Sequence, residues 1–197
     1  DKTLELDLVK AEKLITAKTK AIIVMDYDCI ISDHDAIAAF AKKHSLRVIH
    51  DAAHSFGSKY KGRMVGSFSD ICVFSHDPVK TVTCLDGGTI VVRTKEELRM
   101  VHEMRLLGMQ QPAEVMYQNK RAWTFDVERI GFRYHMINMH AAIGLSQIRK
   151  LDRISSSRCA ASKRYNERLT GILGVRIPQT DFVDVNPFLY YIRVPDR

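Results

Sequence analysis

Short apolar runs alternate along the chain with longer stretches whose apolar residues recur every three or four positions, a pattern that predicts strands joined by crossover helices. Four segments carry the strand pattern: Lys20–Met25, Leu46–Ile49, Ile71–Phe74 and Thr89–Val92. Each is rich in β-branched residues and too short for a stable helix, so each reads as a strand. Ser32 and Asp35 have capping-box spacing, and behind them Ile37, Phe40, Ala41 and His44 share one face of a helix. Thr94 and Glu97 repeat that spacing and open a helix expected to run to about Leu107 and stop at Gly108. A further helix is expected over Leu6–Thr16. The alternation implies an α/β fold with a parallel sheet, which places ligands beyond the carboxyl ends of the strands.

The pattern changes in the second half. Met109–Asp126 has little periodicity and reads as a long loop, of a kind that is functional inside a compact domain. From Asn138 onward Ala141, Leu145, Ile148 and Leu151 mark a helix, and a second, polar-faced helix is expected over Ser157–Leu169. Gly144 inside the first of these costs about 1 kcal/mol relative to alanine, so it marks close packing. Gly174–Ile177 and Phe188–Val194 read as strands of a further unit. Residues 1–150 therefore form one α/β unit and residues 151–197 a connecting helix and the start of a smaller α+β domain, with the boundary between about 150 and 172.

Composition narrows the function classes. The chain has 197 residues, 46% of them hydrophobic, enough to bury a full core. It has no apolar run long enough to span a membrane and no secretory leader, which makes a cytoplasmic location the expectation. The four cysteines, Cys29, Cys72, Cys84 and Cys159, show no C-x-x-C spacing, which argues against a zinc ribbon and a disulfide framework and for reduced thiols. The net charge of +7 suits a phosphorylated small molecule, whereas the scattered basic residues form no nucleic-acid patch.

Two polar signatures stand at strand ends. Asp51-Ala52-Ala53-His54 follows the second strand, and Ser75 begins a polar segment through Pro78 and Lys80 to Gly87-Gly88 before the fourth. A carboxylate and an amine presented from neighbouring strand ends suit pyridoxal 5′-phosphate. Asp51 would keep the ring nitrogen protonated, His54 would lie beside the ring, and the Ser75 hydroxyl would meet the phosphate. Lys80 would form the imine with the cofactor aldehyde and then move a proton at the substrate carbon, which requires a depressed amine pKa. His50-Asp51-Ala52-Ala53-His54 also has the spacing of an H-E-x-x-H zinc site. A strand-to-loop transition at that point would turn the two histidines apart.

With these residues in view, the chain resembles the sugar aminotransferases of the DegT/DnrJ/EryC1/StrS family, fold type I pyridoxal phosphate enzymes that aminate nucleotide-linked keto-sugars. The resemblance rests on Asp51-Ala52-Ala53-His54, Gly57-x-x-Tyr60-x-Gly62, Val65-Gly66, Phe74-Ser75, Pro78-Val79-Lys80, Asp86-Gly87-Gly88, Gly131–Met136 and Ala141–Leu145. It implies a three-layer, mostly parallel sheet core of the aspartate aminotransferase type, with the chain spanning the middle of a longer enzyme. By the same resemblance Lys80 takes the Schiff-base role, Asp51 binds the pyridine nitrogen, and His54 and Ser75 bind the cofactor. Arg133 stands where the family has an asparagine that reaches the phosphate of a neighbouring subunit's cofactor, which implies a homodimer with a shared site. Departures include His76, at a usually aromatic position, and Asp86, where glutamate is frequent. The amino donor implied is glutamate, and Tyr117, Trp123 and Phe125 are candidates to line a sugar pocket. Lys80 argues for transamination over the dehydration run by the family's lysine-less branch. A non-catalytic, truncated aminotransferase-like scaffold is the remaining alternative.

Overall fold

The computed structural model describes residues 3–110, 126–180 and 182–195. In chain order its elements are α1 (Leu8–Glu12), β1 (Ala21–Met25), α2 (His34–Lys43), β2 (Arg47–Asp51), β3 (Lys59–Tyr60), β4 (Arg63–Met64), β5 (Ile71–Ser75), β6 (Gly88–Val92), α3 (Lys95–Arg105), α4 (Asn138–Ile148) and α5 (Leu151–Leu169). The main sheet has the order β1-β2-β5-β6, and β3 and β4 form a separate two-stranded ribbon. β1, β2 and β5 run parallel, with α2 as the crossover between the first two, whereas β6 runs antiparallel to β5. Residues 76–87 contain no helix to carry the chain back to the starting edge of the sheet, so the fourth strand returns beside the third in the opposite sense. The sheet is thus mixed, within the mostly parallel class expected.

Side-chain alternation divides the sheet into two unlike faces. Val24, Val48, His50, Cys72 and Phe74 are buried on one face, while Ile23, Val73 and Ile90 on the other are exposed. Val24 and Val48 join Ile37 and Ala41 of α2 in one apolar cluster, with Phe40 and Ile22 packed against it. Ala52, Val65, Cys72 and Phe74 form a second cluster nearer the strand ends.

Several sequence expectations shift in detail. The cap of α2 is Asp33 rather than Ser32: its carboxylate accepts the N–H groups of Asp35 and Ala36, while the N–H of Ser32 donates to Asp26. The Thr94–Glu97 capping box forms as expected, and Gly108 adopts a φ of +78° beyond the end of α3. α1 covers only Leu8–Glu12 of the expected Leu6–Thr16. α5 begins at Leu151, six residues before the expected Ser157, because packing overrides the weak helix propensity of Ser155-Ser156-Ser157. The two strands expected at 174–177 and 188–194 reduce to one antiparallel bridge between Arg176 and Arg193. Most of the expected 109–126 loop, with Tyr117, Trp123 and Phe125, lies outside the described residues.

Gly144 has a definite reason. A Cβ there would run into Cys84 Sγ, so α4 presses directly on the segment that carries Lys80. The chain from 184 to 189 folds back along the ribbon and the strand ends: Lys59 N–H donates to Asp184 O at 2.7 Å, and Asn186 N–H to Ser58 Oγ at 2.9 Å. No helix among the described residues is long and apolar enough to cross a membrane. All four cysteines are free thiols.

Candidate active site

The carboxyl ends of the parallel strands deliver the polar residues. β2 ends on Asp51, paired in register with Met25 of β1 and Val73 of β5, and β5 ends on Ser75. Asp51 Oδ1 accepts the Ala53 N–H at 3.1 Å, a local turn that fixes the carboxylate at the strand tip. Alternation points Asp51 to the sheet face opposite His50. The chain then brings His54 back over the strand ends, where its ring lies 4.4 Å from that of Phe188.

Lys80 reaches the same place from the β5–β6 segment. Ser75 Oγ accepts the Asp77 N–H at 3.4 Å, Asp77 Oδ1 the Val79 N–H at 3.1 Å, and Asp77 O the Lys80 N–H at 3.0 Å. His76, a departure from the family pattern, is buried and holds this segment together. Its Nδ1–H donates to Val82 O at 3.1 Å, its Nε2 accepts from Thr89 Oγ1 at 2.8 Å, and its carbonyl accepts the Cys84 N–H. The Lys80 amine lies 4.2 Å from the centroid of Phe188, on the ring that also packs on His54. Among the described residues it has no carboxylate partner within salt-bridge distance. An amine facing an aromatic ring rather than a carboxylate is available for covalent chemistry.

Asp28 was not anticipated from the sequence. It is 4% exposed, adopts a φ of +53°, and has one carboxylate oxygen, Oδ1, without a hydrogen-bond partner. Burial raises its pKa, and the charge of Lys80 partly offsets that rise. Burial, followed by the Lys80 charge, lowers the pKa of His54, while Asp51 pulls it up. Lys80 is thus within electrostatic reach of Asp28 and His54, and Asp51 within reach of His54. Phe188 was expected only as part of a distant strand. It stands here because Arg158 donates to its carbonyl at 2.5 Å and the Cys29 thiol donates to the carbonyl of Leu189 at 2.7 Å.

Arg133 stands apart from these contacts: it is exposed and bridges Leu106 in antiparallel register. The zinc-type spacing does not produce a zinc-type site, because His50 and His54 face different partners. His50 Nε2 donates to Asp26 Oδ2 at 2.7 Å, and His34 Nε2 donates to Asp26 Oδ1 at 3.1 Å. Asp26, His34 and His50 hold their donor atoms within 4.8 Å of one another, a spacing open to a metal ion. The hydrogen bonds already account for the trio: both Asp26 oxygens are engaged, and the Ser32 N–H adds a third donor. The Lys80 amine over Phe188, His54 on the same ring, and the strand-end Asp51 and Ser75 are residue types that fit pyridoxal phosphate instead.

Comparison with known proteins agrees with this geometry. The chain is 33% identical over 178 residues to the spore coat polysaccharide biosynthesis protein SpsC of Bacillus subtilis, covering 90% of this chain and 46% of that one. It is 36% identical over 152 residues to the UDP-4-amino-4,6-dideoxy-N-acetyl-beta-L-altrosamine transaminase of Campylobacter jejuni, covering 77% of this chain and 37% of that one. Among solved structures, Helicobacter pylori PseC, an aminotransferase involved in the biosynthesis of pseudoaminic acid, superposes with a TM-score of 0.86 at 26% identity, over 98% of this chain and 50% of that one. The chain thus spans about half the length, or less, of these relatives. The family model for DegT/DnrJ/EryC1/StrS aminotransferases matches residues 1–197, and the chain belongs to that family of pyridoxal phosphate-dependent enzymes.

Proposed function

We propose that the complete protein containing this chain is an aminotransferase that moves an amino group from an amino acid, glutamate, to a nucleotide-linked keto-sugar in amino-sugar and polysaccharide biosynthesis. The observation that carries this reading is the Lys80 amine, set over the Phe188 ring that also packs on His54, without a carboxylate partner within salt-bridge distance among the described residues. Pyridoxal phosphate, when bound, supplies the electron sink for breaking bonds at the amine-bearing carbon. Asp51 would keep the proton on its ring nitrogen, and His54 would orient the ring from the side. Ser75, whose oxygen accepts from Asp77, keeps its own O–H free to donate to the phosphate. Lys80 would hold the cofactor covalently and, once displaced, would carry the proton to and from the substrate carbon. Residues 1–150 would provide the cofactor half and residues 151–197 the passage to a smaller domain.

The exposed position of Arg133 suits a role across a two-fold interface, toward the phosphate of a second subunit's cofactor. The free cysteines fit a reducing, cytoplasmic setting. The test is a panel of amino donors and nucleotide keto-sugars on the complete protein. Product should appear with glutamate and at least one keto-sugar, and the half-reaction with glutamate alone should bleach the cofactor's visible band. Failure of every donor to change that band would overturn the reading.

A further inference from the structure

Asp28 and His54 form an unusual pair. The Asp28 backbone N–H donates to His54 Nδ1 at 3.4 Å, so Nδ1 carries the lone pair and the ring proton sits on Nε2. Asp28 Oδ1 lies 3.3 Å from the same Nδ1, buried, and finds no proton to accept. A buried carboxylate oxygen without a donor, this close to a ring nitrogen that carries no proton, is unfavourable, and one added proton between the two relieves it at the cost of the Asp28 N–H bond. On Nδ1 that proton makes an imidazolium paired with the carboxylate; on Oδ1 it makes an acid that donates to the ring. The sheet supplies a counter-example two residues away in Asp26, whose oxygens are both bonded.

We propose that Asp28 is a positioning residue that holds the imidazole of His54 and gives a single added proton its place between Oδ1 and Nδ1, beside Lys80. The inference rests on the proposed function for its use. An amino donor arrives as an ammonium ion and must lose a proton before its nitrogen can attack. The pair accepts that proton and returns it to the departing product amine, so protons balance over the exchange. Among the described residues Lys80 from the β5–β6 segment and Asp51 from β2 act on the pair, and Asp28 in turn adds to the burial that raises the pKa of Cys29 and of Tyr191 from the returning chain.

The test reads His54 directly, by its imidazole 15N resonances in the complete protein purified without added cofactor, with His54→Gln providing the assignment. Asp28→Asn is the informative variant because asparagine, like aspartate, tolerates the left-handed backbone at this position. Loss of the carboxylate should weaken the affinity of His54 for its second proton about tenfold or more, and Asp28→Glu should recover part of it. An unchanged titration in Asp28→Asn would overturn the proposal. If the titration moves but Lys80 never takes up cofactor, the functional reading fails and the pair stands. If Lys80 is loaded and the titration does not move, the pair fails alone.

Discussion

Two carboxylate–imidazole clusters sit two residues apart in sequence and behave in opposite ways. Asp26 lies under the sheet, and His34, His50 and the Ser32 N–H satisfy it. Asp28 lies at the strand ends with one oxygen unpaired, next to a half-buried imidazole and an amine. Burial pushes the pKa of both carboxyls up. At Asp26 the two imidazole hydrogen bonds outweigh burial and hold the carboxyl well below its usual range. At Asp28 only the Lys80 charge opposes burial, and the net shift is upward. The same residue types therefore make a closed clamp where every bond is made, and an open arrangement at the strand ends where one is left unmade.

The largest effect should come from the open side. Lys80→Ala in the complete protein should lower transamination by at least about 10³-fold and abolish the cofactor's visible band, measured by steady-state kinetics and absorbance. A variant that keeps both would collapse the distinction between the two clusters. On the closed side, Asp26→Ala leaves two buried imidazoles without their acceptor. It should cost about 3–5 kcal/mol of unfolding free energy in a urea titration.

Gly144→Ala tests the packing that holds the Lys80 segment. Its new Cβ must displace Cys84, at a cost of about 1–3 kcal/mol that Cys84→Ala should partly relieve, visible as a shift and recovery in Tm. The smallest effect concerns stability against pH. Because the Asp26 pKa is depressed in the folded state, its stabilisation is complete at neutral pH. It is lost as pH falls below about 4, toward the folded-state value. The Asp28 pKa is raised, so its ionised form opposes folding as pH rises through that value. Asp28→Asn should therefore leave the neutral-pH urea midpoint equal or slightly higher, whereas Asp26→Asn should lower it and flatten the acid limb.

Much of this architecture was legible in the chain because local signals and tertiary structure agreed. The four apolar runs became the four strands of the main sheet, the Thr94–Glu97 box capped its helix, and Gly144 marked a close approach. Local signals misled where a neighbour competed. Asp33, one residue on, displaced Ser32 as the cap because it reaches two backbone N–H groups at once. Asp51, His54, Ser75 and Lys80 were visible as strand-end chemistry, and the fold brings His54 and Lys80 onto one ring, Phe188, with Asp51 within electrostatic reach of His54. Asp28 and Phe188 were not visible. Asp28 sits in no motif and is defined by an unmade bond, and Phe188 arrives from more than 100 residues beyond Lys80 through hydrogen bonds to Arg158 and Cys29. Only tertiary structure brings such residues together.

Lys80 is the residue proposed to take the cofactor. Borohydride trapping of the complete protein loaded with pyridoxal phosphate, followed by peptide mass spectrometry, addresses it directly. One stoichiometric adduct is expected on the peptide containing Lys80, absent after pretreatment with amino donor. An adduct on a different lysine, or none with Lys80 intact in a folded protein, would contradict it.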